Sequence, residues 1–573
     1  MGNNYITWMI GGPAGSGIIN AGMSFVKCLS RGGLNIFSTN EYPSLIRGGH
    51  NSLFVRASDK PINSHVKEII ILVALNQEAV ELHKEEMAKD GAIIYDGNTF
   101  KLNQNDFNCK LINVPLLKIA KENGKDIMRN TVALGASVAL MDYELDMLNN
   151  SLASIFAKKD SAIIEMNKQA AKVGYEFVKK NFGSIRKITK VKGAPKRIVL
   201  NCNDAISLGA LKAGLKIFAA YPMTPASSIL HTLAKYERDM QIIVKHTEDE
   251  LASMNMIIGA GFAGVRAMTS TSGGGFALMN EAFGLAGMAE VPCVIVEAQR
   301  GGPSTGLPTR QEQADLKFVI NSSQGEFPRL VMAPGDIKEA FYETINVFNL
   351  AEKYQVPAVI LTDKYNYASS KSIDVYDMGD IKIERGKLLT EKDAKNIKDY
   401  KRYKFAAEGV SPRAIPGLPN TIFRSTGNEH DEYGDISEDA VNRKNMVDKR
   451  MKKMNGLLKD IKEPIKIHGP KNAELTVIGW GSTKGPIIDA IALIDKKVNF
   501  LQVLYPWPFP TEKIKSILKN SKALLLIEGN ATGQLGSLIM EHTGIEIKNK
   551  FLKYDGRQFL PSEISKKISE VLK

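Results

Sequence analysis

The sequence predicts an α/β protein made of three parallel-sheet domains, and three observations predict it. Apolar runs of strand length recur along the chain, at 5–10, 68–74, 91–95, 215–220, 292–298, 356–362, 475–479, 498–503 and 523–527. Glycine-rich or polar turns follow many of them, and helical patterns follow the turns, as in parallel sheets covered by helices. The chain has 573 residues, too many for one core. The alternation is interrupted twice, by a basic stretch near 179–196 and by a polar stretch over 369–463. These breaks place domains at 1–188, 196–368 and 464–573, with 369–463 as a connecting arm.

Taken in order, the run 5–10 ends at Gly11-Gly12-Pro13-Ala14-Gly15-Ser16-Gly17, and a helical pattern with Ile18, Met23, Val26 and Leu29 follows. Such a turn can aim backbone N–H groups at an anion. It reads equally as a structural turn, because its spacing is G-x-x-G-x-G and no Gly-Lys-Ser/Thr follows. Arg47-Gly48-Gly49-His50 closes a second turn. Arg129-Asn130-Thr131 reads as the cap of a small-residue helix over 132–141. A second α/β unit is expected to start at 197–200, with its first helix over 203–215. The arm carries one helical pattern near 439–458, and strands at 475–479, 498–503 and 523–527 build the last unit.

Composition narrows the function classes. Hydrophobic content of 44% with 24% charged residues fits a folded globular chain rather than a disordered one. The charge-free run 251–265 is too short to cross a bilayer, and no signal peptide is read at the start, so no membrane is expected and the location is expected to be cytoplasmic. Cys28, Cys109, Cys202 and Cys293 lie far apart, which argues against a zinc site, an iron–sulfur site or a disulfide framework in this chain. Net charge is +13. The lysines are scattered and no nucleic-acid motif accompanies them, so no nucleic acid is expected. An acidic cofactor or electron carrier would benefit from the field.

The densest chemistry lies between 219 and 310. Tyr221-Pro222-Met223-Thr224-Pro225 follows one strand-like run, Thr247-Glu248-Asp249-Glu250 opens an apolar helix, and Arg300-Gly301-Gly302-Pro303-Ser304-Thr305-Gly306 follows another strand. All three should line the crevice at the carboxyl ends of the strands. Glu250 reads from spacing as the last residue of a Thr247 capping box, Thr224 as a turn hydroxyl, and Arg300 as a loop cation. His246 and His430 have no metal-ligand spacing, so solvated or capping roles are expected for them, and no metal site is expected.

Beyond these readings, YPMTPASS, EDELASMNMIIGAGFAG, TSTSGGGF and QRGGPSTGLPT resemble the α subunit of 2-oxoacid:ferredoxin oxidoreductases. GGPAGSGI and EYPSLIRGGHNS resemble the γ component of the same enzymes, here fused in front. The resemblance covers nearly the whole chain. It departs at Met223, where Ile is usual, and at Arg310, where Lys is common. It implies a γ-type domain at 1–188, a pyrimidine-binding domain of thiamine diphosphate enzymes at 196–368, and a transketolase C-terminal-like domain at 464–573. It implies that Glu250 contacts the aminopyrimidine and shares a proton with it. It implies that Tyr221 and Pro222 also contact the cofactor, and that Thr224 and Arg300 hold the substrate carboxylate, for which a guanidinium fork is suited.

The Mg²⁺–diphosphate pattern Gly-Asp-Gly…Asn-Asn is missing: Gly434-Asp435-Ile436 and Asn149-Asn150 do not make a set. The resemblance therefore implies a β subunit that supplies Mg²⁺, the diphosphate side and an iron–sulfur cluster, in a heterodimer or a dimer of heterodimers. Coenzyme A would take the acyl group and ferredoxin the electrons. A transketolase-like enzyme acting on sugars is the rival enzyme, but it would need the missing diphosphate motif. A nucleotide-binding or scaffolding subunit is the rival outside enzymology, and it would leave Glu250, Thr224 and Arg300 without chemistry.

Overall fold

The computed structural model describes residues 4–45, 48–379 and 381–573. The chain divides into two compact units. One is Met1–Asn201 with Ala368–Tyr376 and Leu560–Ser562; the other is Cys202–Tyr367 with Asp377–Phe559 and Glu563–Lys573.

The first unit holds an eight-stranded sheet. Its spatial order is Lys110–Asn113, Met87–Tyr95, Ile69–Ala74, Tyr5–Pro13, His50–Ser58, Asn35–Glu41, Ser369–Asp374 and Arg197–Asn201. From Lys110–Asn113 to Tyr5–Pro13 the strands are parallel. Beyond Tyr5–Pro13 every pairing is antiparallel. The sheet expected to be parallel is thus mixed. For Asn35–Glu41 and His50–Ser58 the cause is the short connection 42–49, which is too short for a crossover helix and returns the chain antiparallel. Gly48 and Gly49 sit in that connection with φ of 77° and 84°; Arg47 of the same expected turn lies outside the described residues.

Two further expectations change. Arg197–Asn201, read as the start of the second unit, is the edge of the first sheet, paired with Ser369–Asp374, the opening of the stretch read as an arm. Local hydrophobicity cannot register a strand whose partner lies so far along the chain. Arg129-Asn130-Thr131 is no side-chain cap: the helix Arg129–Leu140 begins there without one. Asn130 instead donates from Nδ2 to the Ser16 carbonyl at 2.6 Å, tying the glycine-rich turn to this helix. The core beneath is anchored by Trp8, which stacks on Phe25 and donates its indole N–H to Ser137 Oγ at 2.9 Å.

The second unit holds two sheets. The six-stranded sheet is parallel throughout, in the order Leu330–Met332, Pro357–Asp363, Cys293–Gln299, Ala267–Thr271, Ile217–Ala220 and Ile243–His246. The five-stranded sheet runs Ile465–His468, Val498–Val503, Leu475–Trp480, Leu524–Glu528 and Lys550–Leu552, antiparallel only at Ile465–His468. Ile295, Val331 and Leu361 of one sheet share a core cluster with Trp480, Leu501 and Leu526 of the other. Polar ties fix the join: Gln313 donates to the Trp480 carbonyl at 3.1 Å and accepts from Gly529 N–H at 3.0 Å. The helical pattern near 439–458 forms the helix Ala440–Asp460. His430, expected to be solvated or capping, is fully buried in the stretch before that helix and packs on Tyr403 with ring centroids 4.0 Å apart.

Candidate functional site

Four neighbouring parallel strands, Cys293–Gln299, Ala267–Thr271, Ile217–Ala220 and Ile243–His246, end at one edge of the six-stranded sheet. Arg300, the Ser272 turn, Tyr221–Pro225 and the helix Glu250–Phe262 therefore start side by side, as the crevice rule for parallel sheets requires.

Glu250 is the first residue of its helix. Asp249 is the N-cap, with its side chain accepting from Ala252 N–H at 2.8 Å. The Thr247 hydroxyl is spent on the Ser253 hydroxyl and the Asp249 carbonyl, at 2.6 and 3.0 Å. The capping box read from the spacing is not formed, so Glu250 has no capping duty. It is only 3% exposed, and its Oε1 has no hydrogen-bond partner. Burial raises its pKa above the ordinary carboxyl value, and the charge of Asp249 adds to the rise. Space beside it is kept by Gly275, where a Cβ would lie 2.6 Å from Glu250 Oε1 and 2.1 Å from Thr271 Oγ1. Any side chain at 275 would fill that space.

Thr271 links this acid to the next junction, its hydroxyl contacting Met223 Sδ at 3.8 Å. Arg300, partly buried, donates from Nη1 to the Thr224 carbonyl at 2.7 Å. Arg300 and Thr224, predicted from separate motifs, are thus joined. Tyr221 is 40% exposed, with its ring 6.2 Å from that of His246, and Pro222 is half-buried beside it. Two acids escaped the sequence reading. Glu297 is fully buried within the strand Cys293–Gln299, and Asp315 precedes the helix Leu316–Asn321. The signal for Glu297 was an acid inside an otherwise apolar strand-length run; Asp315 gave none.

The four cysteines are free and buried, and burial pushes the Cys28 and Cys293 thiols up to about 12, which leaves them unreactive. Among the described residues no group of three or more His, Cys, Asp or Glu side chains could hold a metal ion. No helix there is long and apolar enough to cross a membrane.

Three family models match the chain. They are pyruvate ferredoxin/flavodoxin oxidoreductase at 7–177, the thiamine diphosphate-binding domain of pyruvate flavodoxin/ferredoxin oxidoreductase at 208–449, and pyruvate:ferredoxin oxidoreductase core domain II at 473–564. The α subunit of 2-oxoacid:ferredoxin oxidoreductase from Sulfolobus sp is 34% identical, over 99% of this chain and 97% of that one. The 2-oxoglutarate oxidoreductase subunit KorA of Mycobacterium tuberculosis is 28% identical, over 98% and 90%. The solved 2-oxoglutarate:ferredoxin oxidoreductase of Magnetococcus marinus, with 2-oxoglutarate, coenzyme A and succinyl-CoA bound, superposes with a TM-score of 0.93 at 31% identity, covering both chains fully. These matches run from end to end, and they do not favour a sugar-transferring or scaffolding role. The chain belongs to the α subunits of the 2-oxoacid:ferredoxin oxidoreductases, thiamine diphosphate-dependent enzymes that act as complexes.

Proposed function

We propose that this chain supplies the pyrimidine side of a thiamine diphosphate site and the carboxylate grip of a 2-oxoacid site. In this reading a β subunit supplies Mg²⁺, the diphosphate side and an iron–sulfur cluster. The observation that carries the reading is Glu250: a buried acid with an unpartnered oxygen, facing space that Gly275 leaves open. Buried polar atoms without partners are rare and call for a ligand or a water. A ring nitrogen that carries or accepts a proton would partner that oxygen, and Tyr221 and Pro222 flank the neighbouring strand end. When bound, the cofactor supplies the electron sink for decarboxylation, which protein side chains cannot provide.

The chain's own residues do the rest. Glu250, with its pKa raised above the ordinary carboxyl value by burial, is placed to hold or give up a proton at Oε1, as general acid–base work requires. Arg300 presents its guanidinium, anchored on the Thr224 carbonyl, to the substrate carboxylate, and the Thr224 hydroxyl adds one hydrogen bond. Coenzyme A accepts the acyl group and ferredoxin the electrons. A partner surface is supported by the same helix, Glu250–Phe262, which is apolar around its circumference yet leaves Leu251 48% and Met256 40% exposed. The arrangement is a heterodimer or a dimer of heterodimers, located in the cytoplasm. The resemblance supports domains at 1–188, 196–368 and 464–573 with the arm 369–463, except that Arg197–Asn201 and Ser369–Asp374 pair in the sheet of the first unit.

The test is purification of the chain alone and with its β subunit, followed by 2-oxoacid-dependent dye reduction and iron analysis. Activity and iron are expected only in the pair. Turnover or stoichiometric iron in the chain alone would sink the shared-site reading.

A further inference from the structure

The parallel strands of the first unit end at a crevice of their own, which the chemistry above does not use. Tyr5–Pro13 and Ile69–Ala74 run parallel side by side, with Gly11 opposite Ala74. The chain leaves the first for strands on one side of the sheet and the second for strands on the other. The space outside their carboxyl ends is a topological switch point, where open α/β sheets bind ligands. The turn Gly11–Gly17 borders it. A Cβ at Gly15, where φ is 81°, would meet nothing within 4 Å, so the turn is open there. The helix that follows, Ile18–Arg31, has no side-chain cap among the described residues and no acid in its first turn. Its first N–H groups are donors suited to anionic oxygens.

Each end of this turn holds a buried acceptor without a donor. At the helix end stands Asn130, 5% exposed. Its Nδ2 donates to the Ser16 carbonyl and lies 3.3 Å from where a Cβ at Gly17 would be. Its Oδ1 has no partner among the described residues. At the strand end, His50 pairs in register with Pro13, and its Cε1 lies 2.8 Å from where a Cβ at Gly11 would be. His50 Nε2 meets His83 Nε2 at 3.0 Å, and His83 Nδ1 meets Glu86 Oε2 at 2.7 Å. A carboxylate only accepts, so His83 donates from Nδ1 and, as a neutral ring, accepts at Nε2. His50 therefore donates from Nε2, which leaves a lone pair on Nδ1. That nitrogen is buried and has no partner among the described residues. Burial and the charge of His83 lower the His50 pKa, against Glu78 and Glu41, so the ring is neutral at pH 7.

We propose that the turn Gly11–Gly17 is a binding site for a phosphate group that brings a hydroxyl with it. The N–H groups at the start of Ile18–Arg31 take the anionic oxygens, and His50 Nδ1 and Asn130 Oδ1 take hydroxyl protons. The hydroxyl is the phosphate's own or that of the alcohol it esterifies. Hydrogen phosphate carries an O–H at neutral pH and sulfate carries none, so the two orphaned acceptors make the site selective between anions of the same shape. A plain helix N-terminus would hold both alike. Glu86 and His83 act as positioning residues, since together they keep the His50 lone pair on the nitrogen that faces no protein donor. The proposal does not rest on the readings of Glu250 and Arg300.

The experiment titrates the full chain with inorganic phosphate and with sulfate by calorimetry, at equal ionic strength, from about pH 8 down to about pH 5. At the upper end phosphate is expected to bind about tenfold or more tightly than sulfate, because a buried acceptor set against a bare anionic oxygen stays unpaired. As pH falls through the lowered pKa of His50, Nδ1 gains a proton and becomes a donor, and the preference should shrink to about threefold or less. His50→Gln places an amide that can donate, so its preference should be about threefold or less across the whole range, with no dependence on pH. Adenosine monophosphate and adenosine tell the source of the phosphate. The monophosphate binding more tightly than inorganic phosphate assigns an ester, and binding more weakly assigns the free anion. Equal affinities for phosphate and sulfate at about pH 8 would overturn the proposal. So would no binding of phosphate at millimolar concentration, adenosine matching its monophosphate, or a preference that survives intact in His50→Gln. Should His50→Gln not fold, the pH profile of the wild-type preference decides alone.

Discussion

The second unit buries acids in two places and treats them in opposite ways. Where the segments beyond the six-stranded sheet pack, Glu290 is fully buried between Lys449 and Lys453, at 2.6 and 2.5 Å. Glu352 is likewise gripped by Arg266, Arg413 and Arg385, at 2.8, 2.7 and 2.8 Å. At the carboxyl ends of the strands, Glu250 and Glu297 are as deeply buried, and neither makes an ion pair within 4 Å among the described residues. Desolvating a carboxylate costs several kcal/mol unless it is paired. The acids that hold the fold bring their own cations, and the acids at the strand ends are left to be completed by something else. The difference shows in their titration. Burial alone would raise Glu290, but Lys449, Lys453 and Arg402 outweigh it and hold this carboxyl well below its ordinary range. Glu250, without such partners, is raised.

The strongest way to break this comparison is Glu250→Gln. Turnover is expected to fall by about 10²- to 10⁴-fold, the usual worth of a positioned proton donor or acceptor. Tm should not drop, because Asp249 caps the helix and the change removes an uncompensated acid. Most of the activity surviving in this variant would make Glu250 an ordinary buried residue. Glu290→Gln should behave in the reverse manner. It strands two buried lysines and is expected to cost about 3–5 kcal/mol of stability, read by denaturant unfolding. The KM of the folded fraction should not move. The sign with pH also differs. Glu290 has a depressed folded pKa, so its contribution is present at neutral pH and is lost as pH falls below the ordinary carboxyl range toward its folded value. The acid limb of the stability curve should shrink in Glu290→Gln. A loss of kcat with stability unchanged would erase the distinction between the two regions.

Within the strand-end region, Arg300→Lys is the next test. Lysine keeps the charge but loses the planar fork and the hold on the Thr224 carbonyl. A hydrogen bond to a charged group is worth about 1.5–3 kcal/mol, so kcat/KM should fall about tenfold to a hundredfold. An unchanged kcat/KM would place the carboxylate grip elsewhere.

How much of this was legible in the sequence depended on the range over which each signal acts. Strand runs such as 292–298 and 498–503 are local, and they stand in the structure as Cys293–Gln299 and Val498–Val503. The junction motifs were legible because each is contiguous. Pairing was not: Arg197–Asn201 and Ser369–Asp374 meet at an edge that neither segment encodes. The capping role assigned to Glu250 failed by two residues, because the helix is capped at Asp249, which accepts from Ala252 N–H where the chain turns into the helix, and not at Thr247. The bond from Arg300 to the Thr224 carbonyl was invisible for another reason, since backbone acceptors leave no trace in residue type.

That last bond shapes the smallest effect. Thr224→Val removes the hydroxyl but keeps the carbonyl that anchors Arg300, so the guanidinium should stay where it is. Only one hydrogen bond to the substrate would be lost, and kcat/KM should fall about two- to tenfold. The double variant Arg300→Lys with Thr224→Val tells whether the two side chains act on one carboxylate. If they do, lysine at 300 already lets the carboxylate shift, the hydroxyl has less to hold, and the combined loss should fall short of the sum by about 0.5 kcal/mol or more. Strictly additive losses would mean that the Thr224 hydroxyl and Arg300 act independently. The contact through the carbonyl would then be a packing detail of the strand end, and the substrate carboxylate would have a single anchor on this chain.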